Sequence, residues 1–133
     1  MKKTVNILLP VLIFFMLIQC RSDEKSINRE LTQMAADLNI SAPVMLDQYT
    51  RFDRAAVSDD NVFSYNYTVL NISNPDSLIQ EVSNSLKDAI RKEFSTNPQL
   101  QFFRKNNVVI EYVYKDEDSN IIRLLKINPE DYQ

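Results

Sequence analysis

Apolar residues recur at helical spacing in two segments of this chain. The first segment predicts an amphipathic helix over roughly residues 24–38, and the second predicts a longer helix between Pro75 and Asn97. Asn74 can cap the second helix, because its side chain accepts hydrogen bonds from backbone N–H groups and Pro75 fits the first helical position. The two stripes consist of Ile27, Leu31, Met34, Ala35 and Leu38, and of Leu78, Ile79, Val82, Leu86, Ala89, Ile90 and Phe94.

Four other segments have the residue pattern of β-strands. Residues 44–57 and 62–72 flank a turn, as do residues 107–115 and 120–127, so each pair predicts a hairpin. The order predicts an α+β fold, α-β-β-α-β-β, with a four-stranded antiparallel sheet and two helices packed on one face. In the second hairpin, Lys115 opposite Asn120 would pair Ile110 with Leu125 and place both residues on the helix-covered side.

The N-terminus has the layout of an export signal. Two lysines precede the apolar segment 7–18, and the segment ends close to Cys20, the single cysteine of the chain. Asn6 and Pro10 keep the uncharged run shorter than the roughly 20 apolar residues that a membrane-spanning helix needs. A cleaved signal peptide is therefore favoured over a permanent transmembrane anchor.

The residues before Cys20 resemble the lipobox of bacterial lipoproteins. The sequence Leu-Ile-Gln-Cys has leucine at the expected position, whereas Gln19 replaces the usual small residue. The resemblance implies a signal peptide over 1–19, acyl chains on Cys20, a tether over 20–26 and one domain over 27–133. The alternative is cleavage elsewhere and a free thiol, although a lone cysteine can form no internal disulfide.

The acyl chains would hold the protein in the cell envelope of a Gram-negative bacterium. The outer membrane or the cell surface is favoured over the inner membrane. Since Lys2 and Lys3 are among the 15 basic residues, residues 20–133 carry 13 basic and 18 acidic side chains, a net charge of −5. This balance opposes nucleic-acid binding, which needs a basic footprint, and attachment to the membrane would depend on the acyl chains.

The composition excludes most common kinds of catalytic site. The chain has no histidine and no glycine, so imidazole triads, histidine-bound metals and glycine-rich phosphate loops are absent, and no cofactor is expected. Without glycine, turns that need a positive φ must use residues such as asparagine, which explains Asn106 and Asn107 at one predicted turn. Non-enzymatic function is therefore favoured.

One polar cluster could still support carboxylate chemistry. Asp47, Thr50, Arg51 and Asp53 follow one another in the first predicted strand, and Arg51 can pair with either acid. A structural ion pair is the favoured interpretation of this cluster. The alternative function is a carboxylate-dependent enzyme or a carbohydrate-binding protein of the envelope.

The turn over residues 116–120 begins like a calcium-binding loop. Ile121 occupies the position of the sharp-turn glycine, and Ile127 that of the bidentate glutamate. A hairpin turn explains these residues, so no metal site is predicted.

The face of the sheet opposite the helices is more apolar than solvation requires, which indicates a protein partner. Four tyrosines at strand spacing could form a platform on which sugars or peptides stack, but core packing is the favoured interpretation for them. They are Tyr65, Tyr67, Tyr112 and Tyr114.

The favoured function is a lipid-anchored, non-enzymatic binding module acting as an inhibitor, immunity, exclusion or accessory factor. The candidate binding surface comprises Val109, Glu111, Val113, Ile122, Leu124, Tyr65 and Tyr67.

Three motifs resemble those of a family of small exported bacterial proteins of unassigned function. They are DQYTRFD over residues 47–53, FSYNYTV over 63–69 and NNVVIEYVYKDED over 106–118. The resemblance implies two hairpins in this order and assigns no activity. It also implies glycine at the position of Asn107, where this chain differs.

Overall fold

A computed structural model of the protein describes residues 23–133. The predicted signal peptide and the lipid attachment at Cys20 lie outside the described residues. Of the predicted tether, residues 23–26 belong to the first helix. The helices are α1 (residues 23–39), α2 (Pro75–Thr96) and α3 (Gln101–Lys105), with short 3₁₀ turns at Pro98–Leu100 and Pro129–Asp131. The strands are β1 (Val44–Met45), β2 (Thr50–Val57), β3 (Phe63–Val69), β4 (Ile110–Lys115) and β5 (Ile121–Ile127).

The five strands form one mixed sheet in the order β1-β2-β3-β4-β5. Strands β3 and β4 are parallel, and the other neighbours are antiparallel. The prediction was a four-stranded antiparallel sheet with two helices. It is wrong in the number of strands and in the direction of the β3–β4 pairing, and it did not include the short helix α3. The α+β class and the order of the main elements are confirmed.

The length of α2 explains the parallel pairing. Its 22 residues span about 33 Å at 1.5 Å per residue, which exceeds the length of the strands. A helix of this length returns the chain to the end of the sheet where β3 begins, so that β4 runs in the same direction as β3. Parallel neighbours usually need such a helical crossover.

The pairing of β4 with β5 differs from the predicted register by two residues. Ile110 pairs with Ile127 and Tyr112 with Leu125, and an irregularity follows Tyr114. Because side chains alternate with a period of two, a two-residue shift leaves Ile110, Tyr112 and Leu125 on the predicted side. The prediction of the face was confirmed, whereas the prediction of the pairs was wrong.

The core lies between the sheet and the three helices. From α1 it includes Leu31 and Ala35, and the Asn39 side chain fastens the end of this helix to β2 through two hydrogen bonds with Ala55, at 2.9 and 2.7 Å. Phe103 meets Phe63 and Phe94 edge to face, with ring centroids 5.2 and 5.3 Å apart. These contacts leave the opposite face of the sheet uncovered by any described helix.

Candidate protein-binding groove

The predicted polar cluster is divided between two places. Arg51 Nε donates to Asp53 Oδ1 at 2.6 Å, and Thr68 Oγ1 donates to Asp53 Oδ2 at 2.6 Å. Asp53 lies at a bulge in β2, where the register shifts between Phe52 and Arg54. Both carboxylate oxygens of Asp53 therefore have partners, as a structural role requires.

Asp47 lies in the turn before β2, apart from the Arg51–Asp53 pair. Its Oδ1 accepts the backbone N–H groups of Tyr49 and Thr50, each at 2.7 Å. These hydrogen bonds, led by that from Tyr49, lower the pKa of Asp47. Sequence reasoning thus placed Asp47 and Thr50 in a cluster that they do not join, and it missed Thr68.

The acidic turn between β4 and β5 is held by its own side chains. Asp116 accepts the backbone N–H of Asn120 at 2.8 Å and its side-chain amide at 3.0 Å. Within residues 23–133, no group of three or more His, Cys, Asp or Glu side chains is arranged to hold a metal ion.

The candidate binding surface predicted from the sequence occupies both faces of the sheet. Val109, Glu111, Val113 and Leu124 share the uncovered face, where Val113 pairs with Leu124 and Leu124 is 49% exposed. Ile122 lies at the irregularity in β5 and packs against the core. These residues remain a candidate surface, but one that excludes the two tyrosines.

Tyr65 and Tyr67 lie on the helix-covered face, together with Tyr112 and Tyr114. Parallel pairing of β3 with β4 puts Tyr65 beside Tyr112 and Tyr67 beside Tyr114. Their rings stack at centroid distances of 4.9 and 5.1 Å. The four rings form a tyrosine ladder, defined as Tyr65, Tyr112, Tyr67 and Tyr114, that packs against the core.

The tyrosine ladder remains protonated at neutral pH. Burial raises the pKa of Tyr65 and of Tyr114 to about 12. Burial also raises the pKa of Tyr67, and it raises that of Tyr112 with help from the neighbouring tyrosines and the negative charge of Glu93. The hydroxyls therefore stay neutral and can donate hydrogen bonds.

An apolar groove opens beside the ladder. One part is lined by Leu38 at the end of α1, Val44 and Leu46 around β1, and the rings of Tyr65 and Tyr67. The part that continues from Tyr65 lies between α1 and the 3₁₀ turn after α2. Its lining includes Met34, Asp37, Leu38, Gln99, Leu100 and Phe103.

The groove contains residues that sequence reasoning assigned elsewhere. Leu38 belongs to the apolar stripe of α1, which predicted burial, yet it is 40% exposed. Val44 and Leu46 were placed in a strand and are 38% and 58% exposed. The consecutive apolar residues at 44–46 were the one available signal, because a half-buried strand alternates apolar and polar residues.

Comparison with known proteins shows the family of the chain. Residues 25–124 match a family described as a domain of unknown function, DUF8479. The chain belongs to this family. No protein with a curated description matches it.

Three solved structures share the fold of this DUF8479 protein. A Pseudomonas aeruginosa protein described as secreted is similar with a TM-score of 0.72 and 8% identity, over 83% of this chain and 96% of its own. The Vibrio vulnificus type 2 secretion system pilotin EpsS has a TM-score of 0.57 and 10% identity, over 84% of this chain and 96% of its own. The Vibrio cholerae type II secretion system pilotin AspS has a TM-score of 0.61 and 9% identity, over 84% of this chain and 97% of its own. At these identities, the likeness establishes the fold.

None of the helices within residues 23–133 combines the length and the apolar character needed to cross a bilayer.

Proposed function

We propose that this DUF8479 protein is a lipid-tethered, non-enzymatic binding module of the Gram-negative cell envelope, and that the tyrosine-floored groove receives a protein partner. The groove carries this proposal because it combines an ordered aromatic floor with exposed aliphatic walls. Leu38 and Leu46 are 40% and 58% exposed beside it. Contiguous exposed apolar residues on a soluble domain commonly mark an interaction surface.

The charges beside the groove favour a partner segment with basic residues. Asp37 lines one part of the groove, and Glu93 lies close enough to Tyr112 of the ladder for its negative charge to raise the pKa of that tyrosine. No lysine or arginine belongs to the described linings of the two parts. An apolar segment flanked by lysine or arginine would bury its aliphatic side chains on the walls and complement these carboxylates.

The structural neighbours support a role in an envelope assembly. Two of them are pilotins of type 2 secretion systems. We extend to this chain a related kind of role, in which a small accessory protein binds a component of a larger envelope complex. The groove provides an interaction surface for that role.

The proposal includes acyl chains on Cys20, which would raise the local concentration of the domain near membrane partners. Labelling cells with a clickable fatty acid tests this attachment. We expect wild-type protein to incorporate the label and the Cys20→Ser variant to lose it. Equal labelling of the two forms would contradict lipid attachment and leave the groove to be tested separately.

Capture of partners from native membranes distinguishes the groove from the uncovered face. We expect Leu46→Asp to reduce recovery of the specific partner by about tenfold, since a buried charge would replace an apolar contact. Ile40→Asp is the matched control, because Ile40 is 84% exposed and does not belong to the groove lining. Each variant is first compared with wild type in urea denaturation, so that loss of folding is not mistaken for loss of binding.

The same measurement tests the surface predicted from the sequence. Leu124→Asp changes the uncovered face and leaves the groove unchanged. If Leu124→Asp abolishes capture while Leu46→Asp does not, the binding site belongs to the uncovered face and the groove proposal is wrong. Full capture by both variants would exclude both surfaces.

A further inference from the structure

The two edges of the sheet are built differently. At one edge, β1 contains only Val44 and Met45 and directly follows Pro43. At the other, β5 contains seven residues, Ile121–Ile127, and none is proline. Short length and proline prevent unwanted strand pairing at β1, whereas β5 has only its two basic side chains and one irregularity, and basic side chains discourage a basic strand more than an acidic one.

The outer edge of β5 is available for strand pairing within the described chain. This strand pairs with β4 on one side and terminates the sheet on the other. Ile121 and Leu124 are 64% and 49% exposed. A protein that leaves a long apolar edge strand unpaired presents a template for an additional strand.

The charges on β5 itself are opposite in sign to the net charge of the whole protein. The chain has a net charge of −3, yet β5 carries Arg123 and Lys126 and no acidic residue. Helix α2 packs against β5 and contributes Arg91, whose guanidinium binds Asp131 at 2.6 Å and approaches Asp88 at 3.5 Å. Arg91 is therefore already paired with carboxylates of this chain, so the excess of positive charge is confined to β5, where Lys126 lies opposite Glu111 of β4.

Two guanidinium groups in this region keep an unused donor. Arg91 Nε and Arg123 Nε are buried and have no hydrogen-bond partner among residues 23–133. Buried donors are normally satisfied, because an unpaired buried donor loses its hydrogen bonds to water without replacement. Arg91 belongs to α2 and is held by Asp131 and Asp88, so Arg123 is the one of the two that lies on the edge strand, where a carboxylate of an incoming segment would be a suitable acceptor.

We infer that the β5 edge receives an extended acidic segment of a partner protein, which adds a sixth strand to the sheet. Backbone hydrogen bonds along β5 would supply affinity, and carboxylates next to Arg123 and Lys126 would supply selectivity. A second copy of this chain fits less well, because antiparallel pairing of two β5 strands would bring four like charges together. This surface is separate from the groove, which lies beside β1, β2 and β3.

Two synthetic peptides test the inference on the full-length protein in detergent. One has seven residues in which pairs of adjacent glutamates are separated by valine, so that carboxylates reach both faces of the added strand, and the other has lysine in place of each glutamate. We expect the acidic peptide to shift the backbone amide resonances of residues 121–127 in a saturable titration, and the basic peptide to leave them unchanged. Raising the salt concentration from about 0.05 to 0.3 M should weaken binding severalfold, since both charged surfaces are exposed.

Charge reversal on the edge provides the matched variants. Lys126→Glu should weaken binding of the acidic peptide about tenfold, whereas Lys105→Glu on α3, an equal change of charge elsewhere, should not. Leu46→Asp should leave peptide binding intact, so a failure of the groove proposal would not affect this result. Equal shifts with both peptides, shifts confined to other strands, or dimerisation through β5 without peptide would each overturn the inference.

Discussion

Tyr132 shows how one residue near the end of the chain completes the core. It is 2% exposed, and its hydroxyl donates to the backbone carbonyl of Val108 at 2.6 Å. Its ring also packs against Phe94, with centroids 6.0 Å apart. The sequence pattern does not predict this contact, because Tyr132 follows the last strand and belongs to no periodic stripe.

Tyr132→Phe removes one buried hydrogen bond and retains most of the packing. We expect the free energy of unfolding to fall by about 1–2 kcal/mol, because the Val108 carbonyl loses a buried partner. Urea denaturation of wild type and variant measures this change. Tyr49→Phe, at a residue that is 40% exposed, serves as the control and should change stability by less than about 0.5 kcal/mol.

Asp131 links stability to pH. Its pKa lies below the ordinary value of 3.8, chiefly because the backbone N–H of Asn128 donates to it, with further help from Arg91. A lowered folded-state pKa stabilises the protein above the unfolded-state pKa, and this contribution is lost as the pH falls through the folded-state pKa. Asp47 and Asp116 act in the same direction.

Asp131→Asn should therefore make the stability of the fold depend less on pH in the acidic range. We expect a lower Tm than wild type at pH 7 and a difference that shrinks as the pH falls through the lowered folded-state pKa of Asp131. Thermal unfolding at several pH values measures both quantities. A Tm difference that is independent of pH would indicate lost packing rather than lost charge.

The absence of glycine has consequences that are visible at single residues. Positive φ angles occur at Asn61, Asn71, Asn107 and Ser119. The prediction that asparagine replaces glycine at turns is confirmed at Asn107, because its short polar side chain tolerates this conformation. Ser119 was not predicted individually, since serine does not share that preference and only the turn as a whole was identifiable.

At the scale of elements, α2 begins where the sequence predicts. Asn74 Oδ1 accepts the backbone N–H of Ser77 at 3.2 Å, and Pro75 is the first helical residue. This feature was predictable because every participating residue lies within one turn of the helix. Local chemistry alone determines the start of the helix.

Removing the cap tests its contribution. Asn74→Ala should lower the free energy of unfolding by about 1 kcal/mol, because it leaves an N–H of the first turn without its acceptor. Asn84→Ala, at an exposed site in the middle of α2, should instead raise it slightly, since alanine favours the helix more than asparagine does. Chemical denaturation of both variants provides the comparison, and equal effects would contradict the capping role.

The arrangement of the strands was only partly predictable. Alternation of side chains correctly assigned Ile110, Tyr112 and Tyr114 to the covered face, because that pattern depends on each strand alone. The register of β4 with β5 depends on the turn at Asp116 and the irregularity after Tyr114, which alternation does not encode. The parallel pairing of β3 with β4 depends on how far α2 carries the chain.

At the scale of the whole molecule, the groove is assembled from residues far apart in the sequence. Leu38 belongs to α1, Leu46 to the turn before β2, and Tyr65 to β3. Sequence periodicity assigns each one to its own element and gives no sign that an opening remains between them. This explains why the apolar surface predicted from the sequence was placed on the other side of the sheet.

The central claim is that this groove holds a protein partner in the envelope. Its most direct test is photo-crosslinking in living cells with benzoylphenylalanine at Leu46, compared with Gln80, an exposed position on α2. We predict a discrete adduct with one envelope protein from position 46, lost on the additional Leu38→Asp substitution, and none from position 80. The absence of an adduct at 46, or the same adducts from both positions, would contradict the account.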